Sequence, residues 1–305
     1  MRVGPRLETA PLPAGRYLRG WIYALRPLSL IIAVVSCLTG IVTAYREGYG
    51  NTLTAVLVLT GGIFLQSGVN LINDFFEFRA RNIRDKIPHL DITGTAREKL
   101  EVMIFLTGVG FFLLTVPIGI FLVFTTGLPL LFLGAVGLFG GYFYTAEPLN
   151  YKRRGLAVIF VFFLMGVLMI AGAYYAVSGR LSPDVLFLSL PVSALVSQLL
   201  LSNEIRDYEY DLEYGHRTLT YRIGFKKAVA LYGGLLLFAY LFPIHLDRVG
   251  ILSHAWILAG ALPLAAVPLR TLFRPPADRV RVIPWNMLHH AVYGGLYIVA
   301  TSGVL

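Results

Sequence analysis

A single cysteine, Cys37, leaves no partner for an intrachain disulfide and no basis for a cysteine-rich metal centre. It lies within an apolar run and reads as a small buried hydrophobe. Charge is scarce as well: 14% of the 305 residues are Asp, Glu, Lys or Arg, whereas 56% are hydrophobic. A water-soluble domain of this length has no need for so much apolar surface. With a mean hydropathy of +0.70, the chain reads as a polytopic membrane protein. The opening residues, MRVGPRLETAPLPAGRYLRG, are too polar to supply the apolar core of a cleavable signal. The net charge of +9 is not gathered into a basic tail or a recognisable nucleic-acid module. Its arginines and lysines punctuate the apolar segments, as membrane orientation and anionic-lipid contact require, and no nucleic-acid partner is expected.

What is abundant is long hydrophobic runs. The pattern predicts an all-α fold of nine transmembrane helices, at about 27–45, 52–72, 101–123, 127–146, 155–177, 184–204, 227–245, 250–269 and 285–303. Residues 1–26 form a basic N-terminal segment, and 27–305 the membrane domain. With the N-terminus in the cytoplasm, all of the 26 basic residues except Arg46, Arg180 and Arg248 fall on the cytoplasmic side. An odd number of spans then puts the C-terminus on the opposite side. Gly172 and Ala173 are expected to permit close helix approach, with Tyr174 and Tyr175 near the outer interface.

Two polar stretches interrupt this pattern, each at the cytoplasmic end of an apolar run. In NLINDFFEFRARNIRD at 70–85, together with Gln66, the residues Gln66, Asn70, Asp74 and Glu77 recur on one helical face. In NEIRDYEYDLEYGHRTLTYRIG at 203–224, Asn203, Asp207 and Asp211 do the same. Carboxylates crowded on one face near hydrocarbon are unfavourable unless something positive joins them. Their oxygens suit Mg²⁺, which bridges carboxylates to phosphate oxygens. Asp74, Glu77, Asp207 and Asp211 are the candidate metal ligands, with Asp85 a further candidate downstream. Asn70, Asn73 and Asn203, with Arg206, Arg217 and Arg222, would hold a diphosphate, arginine being suited to bidentate contacts.

The segment GYFYTAEPLNYKRRGL at 141–156 lies on the same side. Its Tyr144 and Lys152 are placed to donate hydrogen bonds to leaving oxygens. His216 is a weaker candidate as a proton acceptor, and His289 and His290 show no metal-ligand pattern. The expected substrate is therefore a lipid diphosphate whose tail lies in the bilayer. With an allylic isoprenoid, metal and cationic side chains would stabilise the departing diphosphate, and an electron-rich aromatic ring would capture the prenyl carbon. A water-poor pocket protects that carbon from hydrolysis. A transporter is the principal alternative class, but it would place its ionisable groups near mid-membrane.

These stretches resemble the motifs of the UbiA superfamily of intramembrane aromatic prenyltransferases, over essentially the whole chain. The first family motif, Asn-Asp-x-x-Asp followed by another Asp, is matched by NDFFE at 73–77 with Asp85 downstream. The second is matched by RDYEYD at 206–211. The resemblance implies a UbiA-type helical bundle and metal–diphosphate roles for Asn70, Asp74, Asp207 and Asp211, with Asn203 in support. Within the superfamily, NEIRDYEYDLEYGHRTLTYRIG, YTAEPLNY and GAYY at 172–175 resemble the 1,4-dihydroxy-2-naphthoate polyprenyltransferases of menaquinone biosynthesis. That subgroup implies a polyprenyl diphosphate donor, Mg²⁺, and an acceptor that loses its carboxylate on the way to demethylmenaquinone. The sequence departs from the pattern at Glu77, which replaces an Asp, at the longer spacing to Asp85, at Ala157-Val158 in place of Gly-Glu, and at Ala173 in place of Thr. A hydroxybenzoate, another naphthoate or a glycerol-phosphate lipid would use the same diphosphate half-site.

Overall fold

A computed structural model describes residues 14–80 and 94–304; no strand occurs among them. Apolar runs in a membrane must satisfy their backbone groups internally, and helices achieve this. Helix α1 (Ala14–Leu25) leads through a 3-10 turn at Pro27–Ser29 into α2 (Leu30–Arg46). It is followed by α3 (Thr52–Ala80), α4 (Gly94–Thr126) and α5 (Pro129–Tyr142). A π-helical stretch at Phe162–Leu168 joins α6 (Ala157–Val161) to α7 (Met169–Ser178). Next come α8 (Pro183–Arg206) and the short α9 (Tyr208–Tyr214) and α10 (Leu219–Ile223). The described chain closes with α11 (Phe225–Arg248), α12 (Leu262–Leu272) and α13 (Val282–Ser302).

Among the described residues, seven helical runs are long and apolar enough to cross a membrane. Two of the nine expected crossings do not meet that measure. The fourth, expected over 127–146, is a 14-residue helix, α5, which reaches only about 21 Å, whereas a hydrocarbon core is about 30 Å thick. The chain leaves the helix at Phe143 and folds back: Lys152 N–H donates to the Tyr144 carbonyl at 3.1 Å, and the Tyr151 hydroxyl donates to the Gly140 carbonyl. The ninth, α13, has 21 residues but carries Asn286, His289 and His290. These polar side chains are buried within the bundle, where the Asn286 amide oxygen accepts from Tyr232 and a ring nitrogen of His289 pairs with Tyr240. The first crossing, expected over 27–45, corresponds to the 3-10 turn and α2; the helical run continues back to Tyr17 through α1, beyond the break at Arg26.

Close packing between α2 and α7 comes from a different glycine than expected. A Cβ at Gly172 would meet nothing within 4 Å, whereas one at Gly40 would lie 2.3 Å from the Ile170 carbonyl oxygen. Gly40 is therefore the position that lets the two backbones touch, and Ala173 packs beside it. Tyr174 is buried, and its hydroxyl donates to the carboxylate of Glu47, the residue that follows α2. At the other end of the bundle, the packed helices leave a large cavity between α3 and α8.

Candidate active site

Helix α3 runs without interruption through the first polar stretch, so the spacing of Gln66, Asn70, Asp74 and Glu77 is realised as a single face. All four line a cavity of about 1040 Å³, together with Asn73. The second polar stretch does not continue one straight helix. Helix α8 ends at Arg206, and Asp207 occupies the turn before α9. The i to i+4 bonding nevertheless survives the break: Asp207 N–H donates to the Asn203 carbonyl at 3.1 Å, and Asp211 N–H to the Asp207 carbonyl at 2.8 Å. Asn203, Asp207 and Asp211 therefore stay stacked and reach the same cavity. Tyr144, Lys152 and Arg206 complete its polar end, while Leu65, Val69, Leu164, Met165, Met169 and Val196 line its apolar part.

The two clusters are held differently. Glu77 accepts from Arg26 at 3.1 Å and is paired with Lys152. Arg26 is presented by a backbone break, its φ of 51° placing a non-glycine residue in the left-handed region. Asn70 secures that break, since its amide donates to the Leu25 carbonyl at 2.8 Å and to the Ser29 hydroxyl at 2.7 Å. Its own oxygen accepts from Gln66 at 3.0 Å. Asn73 differs: its side-chain oxygen is buried and has no hydrogen-bond partner. On the other side, Arg206 grips Asp207 bidentately, with two contacts of 2.9 Å. Asp211 accepts from the Thr218 hydroxyl at 3.1 Å, and Thr218 also caps α10 by accepting from Tyr221 N–H at 3.3 Å.

Lys152 lies over the Tyr144 ring, 5.5 Å from its centroid. Burial, assisted by the Arg26 charge, lowers the Lys152 pKa to about 7, against the opposing pull of Glu204, Asp207 and Asp211. Burial, with the Glu204 charge added, raises the Tyr144 phenol well above its usual range, so this hydroxyl is a donor at neutral pH.

Not every expected site residue reaches the cavity wall. Arg222 is directed elsewhere, its guanidinium donating to the Arg217 carbonyl at 3.2 Å, and neither residue lines the cavity. His216 stacks on Tyr210 at 5.8 Å and borders a separate water-sized space of about 30 Å³ beside Glu77 and Lys152. Asp85 lies outside the described residues. Conversely, several wall residues had been given no site role, among them Arg26, counted only as an orienting charge, and Glu204, passed over between Asn203 and Ile205. A charged residue at the start or end of an apolar run was the available signal for both.

Among the described residues, no group of three or more His, Cys, Asp or Glu side chains is arranged to hold a metal ion. The donors present are hard oxygens, carboxylate and amide, spread over two facing elements, with the buried Asn73 oxygen among them. That set suits an ion such as Mg²⁺ that takes part of its coordination from water and a phosphate-bearing substrate.

A multi-pass helical membrane protein with carboxylates and cations around one end of an apolar cavity belongs to the class of membrane enzymes that process amphiphilic substrates. Residues 33–282 match the UbiA prenyltransferase family, and the chain belongs to that family. It is similar to the UbiA prenyltransferase domain-containing protein 1 of Dictyostelium discoideum, with 28% identity over 82% of this chain and 76% of that protein. It is also similar to the 1,4-dihydroxy-2-naphthoate octaprenyltransferase of Bacillus subtilis, with 27% identity over 75% of this chain and 73% of the relative. Among solved structures, a UbiA homologue from Archaeoglobus fulgidus bound to DMAPP and Mg²⁺ shares the fold, with a TM-score of 0.62 at 16% identity. That alignment covers 93% of this chain and 99% of the homologue.

Proposed function

We propose that this prenyltransferase moves a polyprenyl group from an allylic diphosphate to 1,4-dihydroxy-2-naphthoate, in a Mg²⁺-dependent reaction. The observation that carries the proposal is the meeting of Asn73 and Asp74 on α3 with Asn203, Asp207 and Asp211 around α8 and α9, at the polar end of one apolar cavity. The name of the Bacillus subtilis relative supports the naphthoate acceptor, and the Archaeoglobus fulgidus complex supports the metal and the diphosphate.

Asp74, Asp207 and Asp211, with the Asn73 oxygen, would hold the metal. Bound Mg²⁺ would supply positive charge to the diphosphate oxygens as they depart. Lys152 and Tyr144 donate hydrogen bonds to those same oxygens, and Arg206 adds a cation. Glu77 keeps Lys152 and Arg26 in place. The prenyl tail occupies the apolar side of the cavity, where Leu164, Met165 and Met169 keep water from the reactive carbon. As the carbon–oxygen bond breaks, its electron pair leaves with the diphosphate. A ring carbon then supplies the pair for the new carbon–carbon bond. Loss of the acceptor's carboxylate as CO₂ returns a pair to the ring and restores its aromaticity.

The membrane arrangement in this proposal has nine crossings: the seven long runs together with α5 and α13. The polar end of the cavity and the N-terminus face the cytoplasm, because nearly all basic residues fall on that side.

The test is transfer of radiolabelled prenyl groups by the protein in liposomes, with and without Mg²⁺, to a panel of naphthoates, hydroxybenzoates and glycerol-phosphate lipids. A decarboxylated prenyl-naphthoate that requires Mg²⁺ is the expected product. Transfer to a different acceptor would replace the acceptor and leave the diphosphate chemistry standing. Failure to bind a prenyl diphosphate at all would overturn the site assignment.

A further inference from the structure

Glu204 has an unusual position for a carboxylate. It lies on α8, is 4% exposed and forms part of the cavity wall. One of its oxygens, Oε2, is fixed by two donors from α10, the Thr220 N–H at 3.0 Å and the Thr220 hydroxyl at 3.3 Å. The other, Oε1, is buried and has no hydrogen-bond partner. An unmade hydrogen bond at a buried acceptor is costly, so a retained one calls for a partner that arrives later.

The diphosphate and its metal do not fit that description. Glu204 is one residue beyond Asn203, so its side chain leaves α8 about 100° around the helix from the Asn203, Asp207 and Asp211 face. Thr220 prevents it from swinging onto that face. A carboxylate also repels a phosphate that no metal shields from it. Its electrostatic neighbours are Asp211, Tyr144 and Lys152, and the last two carry the donors assigned above to the leaving oxygens. A group bound by Glu204 would therefore sit beside the departing diphosphate, and it must be a donor.

We infer that Glu204 is the anchor for the acceptor's ring hydroxyl: Oε1 accepts a hydrogen bond from that hydroxyl and so orients the ring carbon toward the prenyl carbon. This rests on the hydroxyarene acceptor proposed above. The proton stays on the hydroxyl oxygen, and the carboxylate withdraws no atom from the substrate. Its negative charge raises the electron density of the ring, which favours attack on an electron-poor carbon. Glu204 thus selects acceptors that carry a hydroxyl, whereas the aspartates act on the donor.

The inference is tested with a double cycle in the full-length protein. The acceptors are 1,4-dihydroxy-2-naphthoate, its two mono-O-methyl ethers, 4-hydroxybenzoate and the methyl ether of 4-hydroxybenzoate. The variant is Glu204→Gln. Thr220 engages the carbonyl end of the glutamine, so the amide NH₂ takes the place of Oε1 and replaces an acceptor with a donor. For the native protein, methylating the contacted hydroxyl is expected to lower kcat/KM by about 10–100-fold, the range for a hydrogen bond to a charged group. Glu204→Gln is expected to lower kcat/KM for the unmethylated acceptor similarly, with at most about 3-fold further loss on methylation, because the two changes remove one contact. Binding of the prenyl diphosphate in the presence of Mg²⁺ should change by less than about 2-fold. Should thermal unfolding show that Glu204→Gln folds poorly, Glu204→Asp withdraws the same oxygen by one methylene and reads the same cycle. Independent, additive losses would overturn the role of Glu204, as would a loss of diphosphate binding matching the loss of transfer. A native protein that prenylates none of the hydroxyarenes would overturn both this inference and the acceptor on which it rests.

Discussion

The two acidic helix ends look alike in sequence and are built differently in space. The first lies on an unbroken helix, and its outermost carboxylate, Glu77, is neutralised from outside by Arg26 and Lys152. The second straddles a break, and its carboxylates are held by near neighbours: Arg206 on Asp207 and Thr218 on Asp211. At the first end the partners are distant in sequence; at the second they are mixed, since Arg206 and Thr218 are near while Arg279, which holds Glu209 at 2.8 Å, is 70 residues away. The geometry of the first therefore depends on packing of the N-terminal helix, and that of the second on its own segment together with Arg279.

The largest expected effect is common to both ends. Asp74→Asn and Asp207→Asn should each lower the prenyl-transfer rate by about 10²–10³-fold or more, since each removes a carboxylate that would hold the metal against the leaving group. Unequal losses in a radiolabelled transfer assay would show that one end dominates. A loss at only one of the two would break the pairing altogether.

Lys152 distinguishes the ends by pH. It deprotonates near 7 in the folded protein, down from its ordinary 10.5. The kcat/KM for the prenyl diphosphate should therefore fall as pH rises through about 7, when the ammonium beside Glu77 loses its proton. Stability should move the other way. Between about 7 and 10.5 the unfolded chain binds more protons than the folded one, so folding becomes more favourable with rising pH. Lys152→Met should lose about 10–100-fold in the same kcat/KM below pH 7 and abolish the alkaline limb. A limb that persists in Lys152→Met would assign it to another group.

Asn70 and Asn203 occupy matching places but have different work. Asn70→Leu removes two donors that cross to the α1–α2 junction and should cost about 1–3 kcal/mol, read by thermal unfolding in detergent. Among the described residues Asn203 donates within its own helix, to the Leu199 carbonyl at 3.3 Å, and Asn203→Leu should cost less than about 1 kcal/mol. Equal costs would mean that the brace at Asn70 is not the distinguishing feature. The smallest effect is expected at Arg222, which faces the Arg217 carbonyl: Arg222→Ala should change transfer by less than about 2-fold. A large loss there would bring that arginine back to the diphosphate.

Much of the site was readable because helix geometry turns spacing into direction. Residues four apart share a face, and both polar stretches kept theirs, the second even across the break at Asp207. The span count was less legible. Hydropathy alone does not register that the chain after Tyr142 folds back, nor that Asn286, His289 and His290 are buried against other helices rather than exposed to lipid. The close approach assigned to Gly172 belongs to Gly40 because a helix's contact face depends on which neighbour it meets.

The sequence by itself determined that the chain is helical and membrane-embedded, and that its carboxylates gather at helix ends. Hydrophobic length and three-to-four-residue periodicity are local properties, and each acts within a single segment. The tertiary structure alone decided that Arg26 reaches Glu77 from 51 residues away and that Thr220 fixes Glu204 while leaving one oxygen bare. Both outcomes depend on the relative placement of separate helices. Side-chain packing sets that placement, and no local spacing encodes it.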